Sequence, residues 1–215
     1  MRPILLTATF LFGAALGAAD DKPRTFHFDK DDGGRVPRGW KADKTGQGEG
    51  SVWKVVADET RKNGYVLAQT AESPKGLFNL CVAEDTSFQN GEVSVAFKAV
   101  KGKEDQGGGI VWRYQDANNY YVARFNPLES NYRVYKVIAG KRIQLETEEN
   151  LKIKTGEWHT LKIKMMGNHI ECFLDDKKYL DARDDAITKA GKVGLWTKAD
   201  AQTYFDDFRV LPAGK

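Results

Sequence analysis

The sequence predicts an all-β domain, a two-sheet antiparallel jelly-roll sandwich. Three observations lead there. Apolar residues recur at every second position in short runs from Thr25 to Val210, and successive side chains of a strand point to opposite faces. The connectors carry turn chemistry: Asn63-Gly64, Ala139-Gly140, Gly167-Asn168 and Asp175-Asp176. No segment shows a 3.6-residue apolar stripe; ARDDAITKAG (182–191) allows a helical turn at most.

In chain order, the first residues stand apart from the fold. Arg2, an apolar run from Ile4 to Leu16, and small residues at Gly17, Ala18 and Ala19 predict a secretory signal peptide over 1–19. The run is too short to stay as a membrane span. The protein is therefore expected to be exported, periplasmic or extracellular. Removing the leader takes away one basic residue, Arg2, so the formal charge falls from +3 to +2. That balance, without a basic block, excludes a nucleic-acid partner of the usual electrostatic kind.

One domain is expected over 24–212, with no internal repeat and no Pro- or Ser-rich linker. Its strands begin with TFHFD (25–29), SVWKVVAD (51–58), GYVLAQT (64–70) and LFNLCVAE (77–84). EVSVAFKAV (92–100), GIVWRYQ (109–115), NYYVARFN (119–126), YRVYKVI (132–138) and KRIQLET (141–147) follow. The last are WHTLKIKM (158–165), HIECFLD (169–175), KKYLD (177–181), KVGLWT (192–197) and TYFDDFRV (203–210). About fourteen closely spaced strands suit two packed sheets. Cys81 and Cys172 each fall inside a strand; they either pair or serve as small buried side chains.

Four stretches together resemble the concanavalin-like, laminin-G-like jelly rolls of exported bacterial proteins. They are PRGWKAD…GSVWKV (37–55), GGGIVWRYQDANNYYVARFN (107–126), GEWHTLKIKMMGNHIECFLDDKKYLD (156–181) and GKVGLWT…FDDFRV (191–210). The resemblance implies a lectin/glucanase sandwich. That architecture includes 3-keto-disaccharide hydrolase domains, non-catalytic carbohydrate-binding modules and family 16 glycoside hydrolases. A family 16 enzyme carries Glu-x-Asp-x-Glu on one strand, and this chain has no such triplet: Glu92 is followed by Ser94 and Ala96. The 3-keto-disaccharide hydrolase pattern has Asn-Ser-Gly-Ile where this chain has GGGI (107–110), and Gln-Asp-His where it has Trp196-Thr197-Lys198.

Alternation sorts the faces. Val193 and Leu195 should point into the sandwich, turning Trp196 outward. Ile110, Trp112 and Tyr114 should share one face, and Tyr121, Ala123 and Phe125 another. Arg113, Tyr120, Arg124 and Trp196 then decorate an outer, concave face. Rings stack on pyranose C–H faces, and guanidinium forks bind hydroxyls or carboxylates. These four residues are the predicted carbohydrate-binding set. For an enzyme, Asp200 and Asp116 are the nearest acid or base candidates. Asp29 and Asp31, in the DKDD run (29–32) that follows the first strand, and Asp206 and Asp207 in the last strand offer oxygen ligands for a structural Ca²⁺. His27, His159 and His169 lack zinc spacing, and no nucleophile elbow, P-loop or dinucleotide fingerprint appears.

The sequence is thus expected to encode an exported, non-catalytic carbohydrate-binding or recognition module. The alternatives are a hydrolase of 3-keto-glycosides acting on the same sheet face, and a structural envelope protein.

Overall fold

A computed structural model describes residues 22–213; the predicted signal peptide lies outside them. Two antiparallel sheets face each other. The larger holds eight strands: β1 (Arg24–Phe26), β3 (Trp53–Ala57), β4 (Tyr65–Gln69), β6 (Gly91–Lys101), β11 (His159–Met166), β12 (His169–Leu174), β13 (Lys177–Arg183) and β15 (Gln202–Pro212). Its order is β13-β12-β11-β6-β15-β4-β3, with β1 paired to the far half of β15. The smaller holds seven strands: β2 (Trp40–Thr45), β5 (Phe78–Phe88), β7 (Gly108–Asp116), β8 (Asn119–Asn126), β9 (Asn131–Ile138), β10 (Lys141–Glu148) and β14 (Gly191–Lys198). Its order is β10-β9-β8-β7-β14-β5-β2.

The two sheets differ in how they use alternation. Strand β6 buries Val93, Val95, Phe97 and Ala99 and leaves Glu92, Ser94, Ala96 and Lys98 half-buried, as a strand with one wet face should. Strands β7, β8 and β14 are buried along nearly their whole length instead. Continuous burial of that kind means that both faces are covered. One face meets the main core, where Val193, Leu195, Ile110, Trp112, Tyr121, Phe125, Phe205 and Phe208 pack together. The other carries a second apolar cluster of Phe78, Leu80, Val82, Val111, Tyr120, Val122, Tyr135, Val137 and Trp196.

The second cluster is closed because the seven-stranded sheet coils onto itself. The β7–β8 turn crosses to the edge strand β2, where the Thr45 hydroxyl lies 2.5 Å from the carbonyl of Ala117 and 2.8 Å from the Tyr120 hydroxyl. Tyr114 donates to Asp43 of the same edge strand at 2.6 Å.

Two expectations are corrected, and the open alternative for the cysteines is decided. Strand β2 is absent from the predicted set, since WKADKT alternates Trp and Ala with charges that blunt a sheet edge. A bulge between Trp112 and Asp116, with Arg113 at φ 46°, breaks the alternation of β7. Tyr114 therefore packs beside Tyr120 rather than sharing the inner face with Trp112. Cys81 and Cys172 are both free and fully buried, one in each sheet.

Candidate functional site

Face sorting places Trp196 and Tyr120 opposite Val193 and Leu195, as expected, but the face they occupy is not open. Trp196 is 0% exposed. Phe78 lies against it at 5.4 Å, and the Arg142 guanidinium covers it at 5.7 Å while resting 4.5 Å from the Tyr135 ring and 4.9 Å from Phe78. No ring face of Trp196 is free to stack on a sugar. Tyr120 is equally buried and spends its hydroxyl on Thr45. Arg113, turned by the bulge, is a clamp. Its donors reach the carbonyls of Gln89 (2.9 Å), Ile187 (2.7 Å) and Gly167 (2.9 Å), and it has no donor aimed at the concave face. Burial holds its pKa below the usual value.

Arg124 keeps a place at the site. It donates to Asn131 at 2.6 Å and to Glu129 at 2.7 Å, and its Nε is buried without a partner. It belongs to a larger set of buried polar atoms that the protein does not satisfy, with Asp105 Oδ2 and Arg142 Nη1. Asp105, in the loop between β6 and β7, accepts from the Gly107 amide (2.6 Å) and Asn126 (3.0 Å) through its other oxygen. Lys198 stands 3.5 Å from the unsatisfied one. Burial pushes the Asp105 pKa up, and the charges of Arg124 and Lys198 and the Gly107 amide only partly pull it back. Leaving buried donors and acceptors unmade is costly, so these three atoms together mark a place suited to polar groups from outside.

The local sequence makes room for this loop. A Cβ on Gly108 would lie 2.7 Å from Thr203 and 2.9 Å from Phe97, and one on Gly109 2.5 Å from the Ala123 carbonyl. The glycine run thus lets β7 approach both sheets while Asp105 turns beneath Arg124. Asp105, Arg142 and Lys198 are absent from the predicted set. Each is an ordinary charged residue in its own segment, and only the coiling of the sheet assembles them.

The enzyme candidates have other duties. Asp200 accepts the backbone amides of Lys103 (2.7 Å), Glu104 (3.1 Å) and Asp105 (3.1 Å). Burial raises its pKa, yet those amides outweigh it and hold the group below the ordinary carboxylate value. It is a loop anchor, ionised at neutral pH. Asp116 is exposed and caps its own turn through the Asn118 amide and Asn119.

The four aspartates expected around Ca²⁺ are not brought together. Asp29 accepts from the Asp31 amide in a short 3-10 turn (Lys30–Asp32). A bulge with Asp207 at φ 50° lets the consecutive Asp206 and Asp207 both reach Arg61, at 2.7 and 2.5 Å. The guanidinium takes the position that a cation would need. Among the described residues, the metal-ligand groupings within 4.8 Å are His27–Asp206–Asp207 and His169–Glu171–Asp181, and neither includes Asp29 or Asp31.

Residues 27–211 match the profile of the 3-keto-alpha-glucoside-1,2-lyase-like domain. The chain belongs to this family. No curated protein matches it. Among solved structures, it is similar to the carbohydrate-binding module CBM66 of Bacillus subtilis, at 19% identity and a TM-score of 0.60, covering 80% of this chain and 94% of that one. A native glycosidic hydrolase aligns at 14% identity and a TM-score of 0.58, covering 92% and 99%. The β-glucanase of Bacillus licheniformis aligns at 13% identity and a TM-score of 0.58, covering 86% and 96%. The fold is the jelly roll shared by these proteins, and the domain is carbohydrate-related. No helix among the described residues is long and apolar enough to cross a membrane.

Proposed function

We propose that this domain binds a carbohydrate on the concave face of the seven-stranded sheet, at the cluster of Asp105, Arg124, Arg142 and Lys198. The observation that carries this reading is the convergence there of unsatisfied buried donors and an unsatisfied acceptor. A polyhydroxylated ring supplies both kinds of group, since each hydroxyl donates once and accepts twice. Arg142 and Lys198, half-buried, form the rim that a sugar would meet, while Trp196, Phe78 and Tyr135 pack beneath Arg142 and hold it in place. The expected export to the periplasm or beyond suits a polysaccharide partner. A glycan array with the mature domain and Lys198→Met tests the reading. Binding that weakens in the variant supports it; no glycan bound by the wild type overturns it.

A second reading has one observation in its favour. The family profile is named for an enzyme of 3-keto-glucosides, and Asp105 has a raised pKa and an oxygen that accepts no hydrogen bond, with Lys198 3.5 Å away, features suited to proton transfer. Turnover of a 3-keto-glucoside that disappears in Asp105→Asn would establish it. No turnover by the wild type leaves binding as the function.

A further inference from the structure

Several charged groups at the concave face are paired or held by hydrogen bonds. Arg124 meets Glu129 at 2.7 Å, Arg133 meets Glu149 at 2.9 Å, and Lys198 meets Asp105 at 3.5 Å. Asp43, on the edge strand β2, is held by the Tyr114 hydroxyl at 2.6 Å and the Lys44 amide at 2.8 Å. Arg142 has no carboxylate within 4.0 Å among the described residues. Its guanidinium lies over Phe78, Tyr135 and Trp196, and Nη1 is buried without a hydrogen bond.

Aromatic faces offset part of the cost of burying such a cation, but they accept no hydrogen bond in the guanidinium plane. A guanidinium cannot shed its charge at any ordinary pH, so its buried N–H needs an acceptor, and an anion is the strongest one. Its paired N–H donors fit the two oxygens of a planar acid group better than a single hydroxyl. Arg142 also sits on the edge strand β10, where its side chain as a whole is half-buried rather than enclosed.

Building on the carbohydrate reading above, we infer that the ligand of this face is an anionic saccharide whose carboxylate or sulfate seats on Arg142. The neighbouring Arg124 Nε and Lys198 then extend the donor set toward the adjacent ring hydroxyls, and Asp105 accepts from one of them.

The test is calorimetric binding of matched oligosaccharide pairs: uronates against their carboxyl-reduced forms, and sulfated chains against their desulfated forms. The pair that responds identifies the acid group. The acidic member should bind about ten- to a hundredfold more tightly, the range of one charge-assisted hydrogen-bonded contact. That preference should fall with added salt, vanish in Arg142→Gln, survive in part in Arg142→Lys, and persist in Lys141→Gln. Thermal unfolding of each variant reports whether it is folded. Equal binding of both members by the wild type, or a preference retained in a folded Arg142→Gln, overturns the inference while leaving the carbohydrate reading standing. If no member of any pair binds, both fall.

Discussion

Trp196→Ala separates packing from ligand stacking. The side chain is 0% exposed, faces Phe78 at 5.4 Å and supports Arg142 at 5.7 Å. Truncation removes the transfer free energy of an indole and leaves a cavity beneath Arg142, a combination that costs about 3–5 kcal/mol in buried sites. For a domain of this size each kcal/mol lowers Tm by about 2–4 °C, so a fall of about 6–20 °C is expected. Urea unfolding followed by far-UV circular dichroism measures the change, with the exposed Val52→Ala as a control expected to shift by under ~0.5 kcal/mol. A cost below about 1 kcal/mol would refute the second core and return Trp196 to an open, ligand-stacking surface.

Three further outcomes are expected. Lys98 bonds Asp58 and lies 4.8 Å from Trp158 and 5.2 Å from Tyr204; Lys98→Met strands a buried carboxylate and should cost about 3 kcal/mol at pH 7. Burial raises the Asp58 pKa, but Lys98 and Thr60 outweigh it and hold it below the ordinary value. Its stabilisation is therefore full above that value and lost as pH falls through the lowered one, so the variant's deficit should shrink in acid; a pH-independent deficit contradicts the pairing. Asp200→Asn weakens three charge-assisted amide contacts and should destabilise the domain by about 1–3 kcal/mol, measured by urea unfolding; no change would mean that Asp200 does not anchor the loop. Without reductant, iodoacetamide should add to both Cys81 and Cys172 in denaturant and to neither in the native protein, read by intact mass.

Alternation was legible where strands are regular. It placed Val193 and Leu195 in the core because β14 keeps its period across them, whereas Phe205 and Phe208, three residues apart, both reach the core through the bulge at Asp207. It failed at Arg113 and Tyr114, where a bulge adds residues to β7 and no local signal announces it. The outer face was harder for a different reason. A sequence shows which residues share a face, but whether water reaches that face depends on sheet coiling. Contacts such as Thr45 with Tyr120, 75 residues apart, leave no trace in either segment. The same coiling hides the candidate site. Arg124 was legible from its position on β8, whereas Asp105 and Arg142 gain meaning only from the neighbours they leave unsatisfied.

The most direct test is a two-dimensional NMR titration of the mature domain with an oligosaccharide taken from the glycan array. Shifts concentrated at Asp105, Gly107, Arg124, Arg142 and Lys198 are the expected result. Shifts confined to the outer face of the eight-stranded sheet, around Trp158 and Arg61, would contradict a binding site on the concave face.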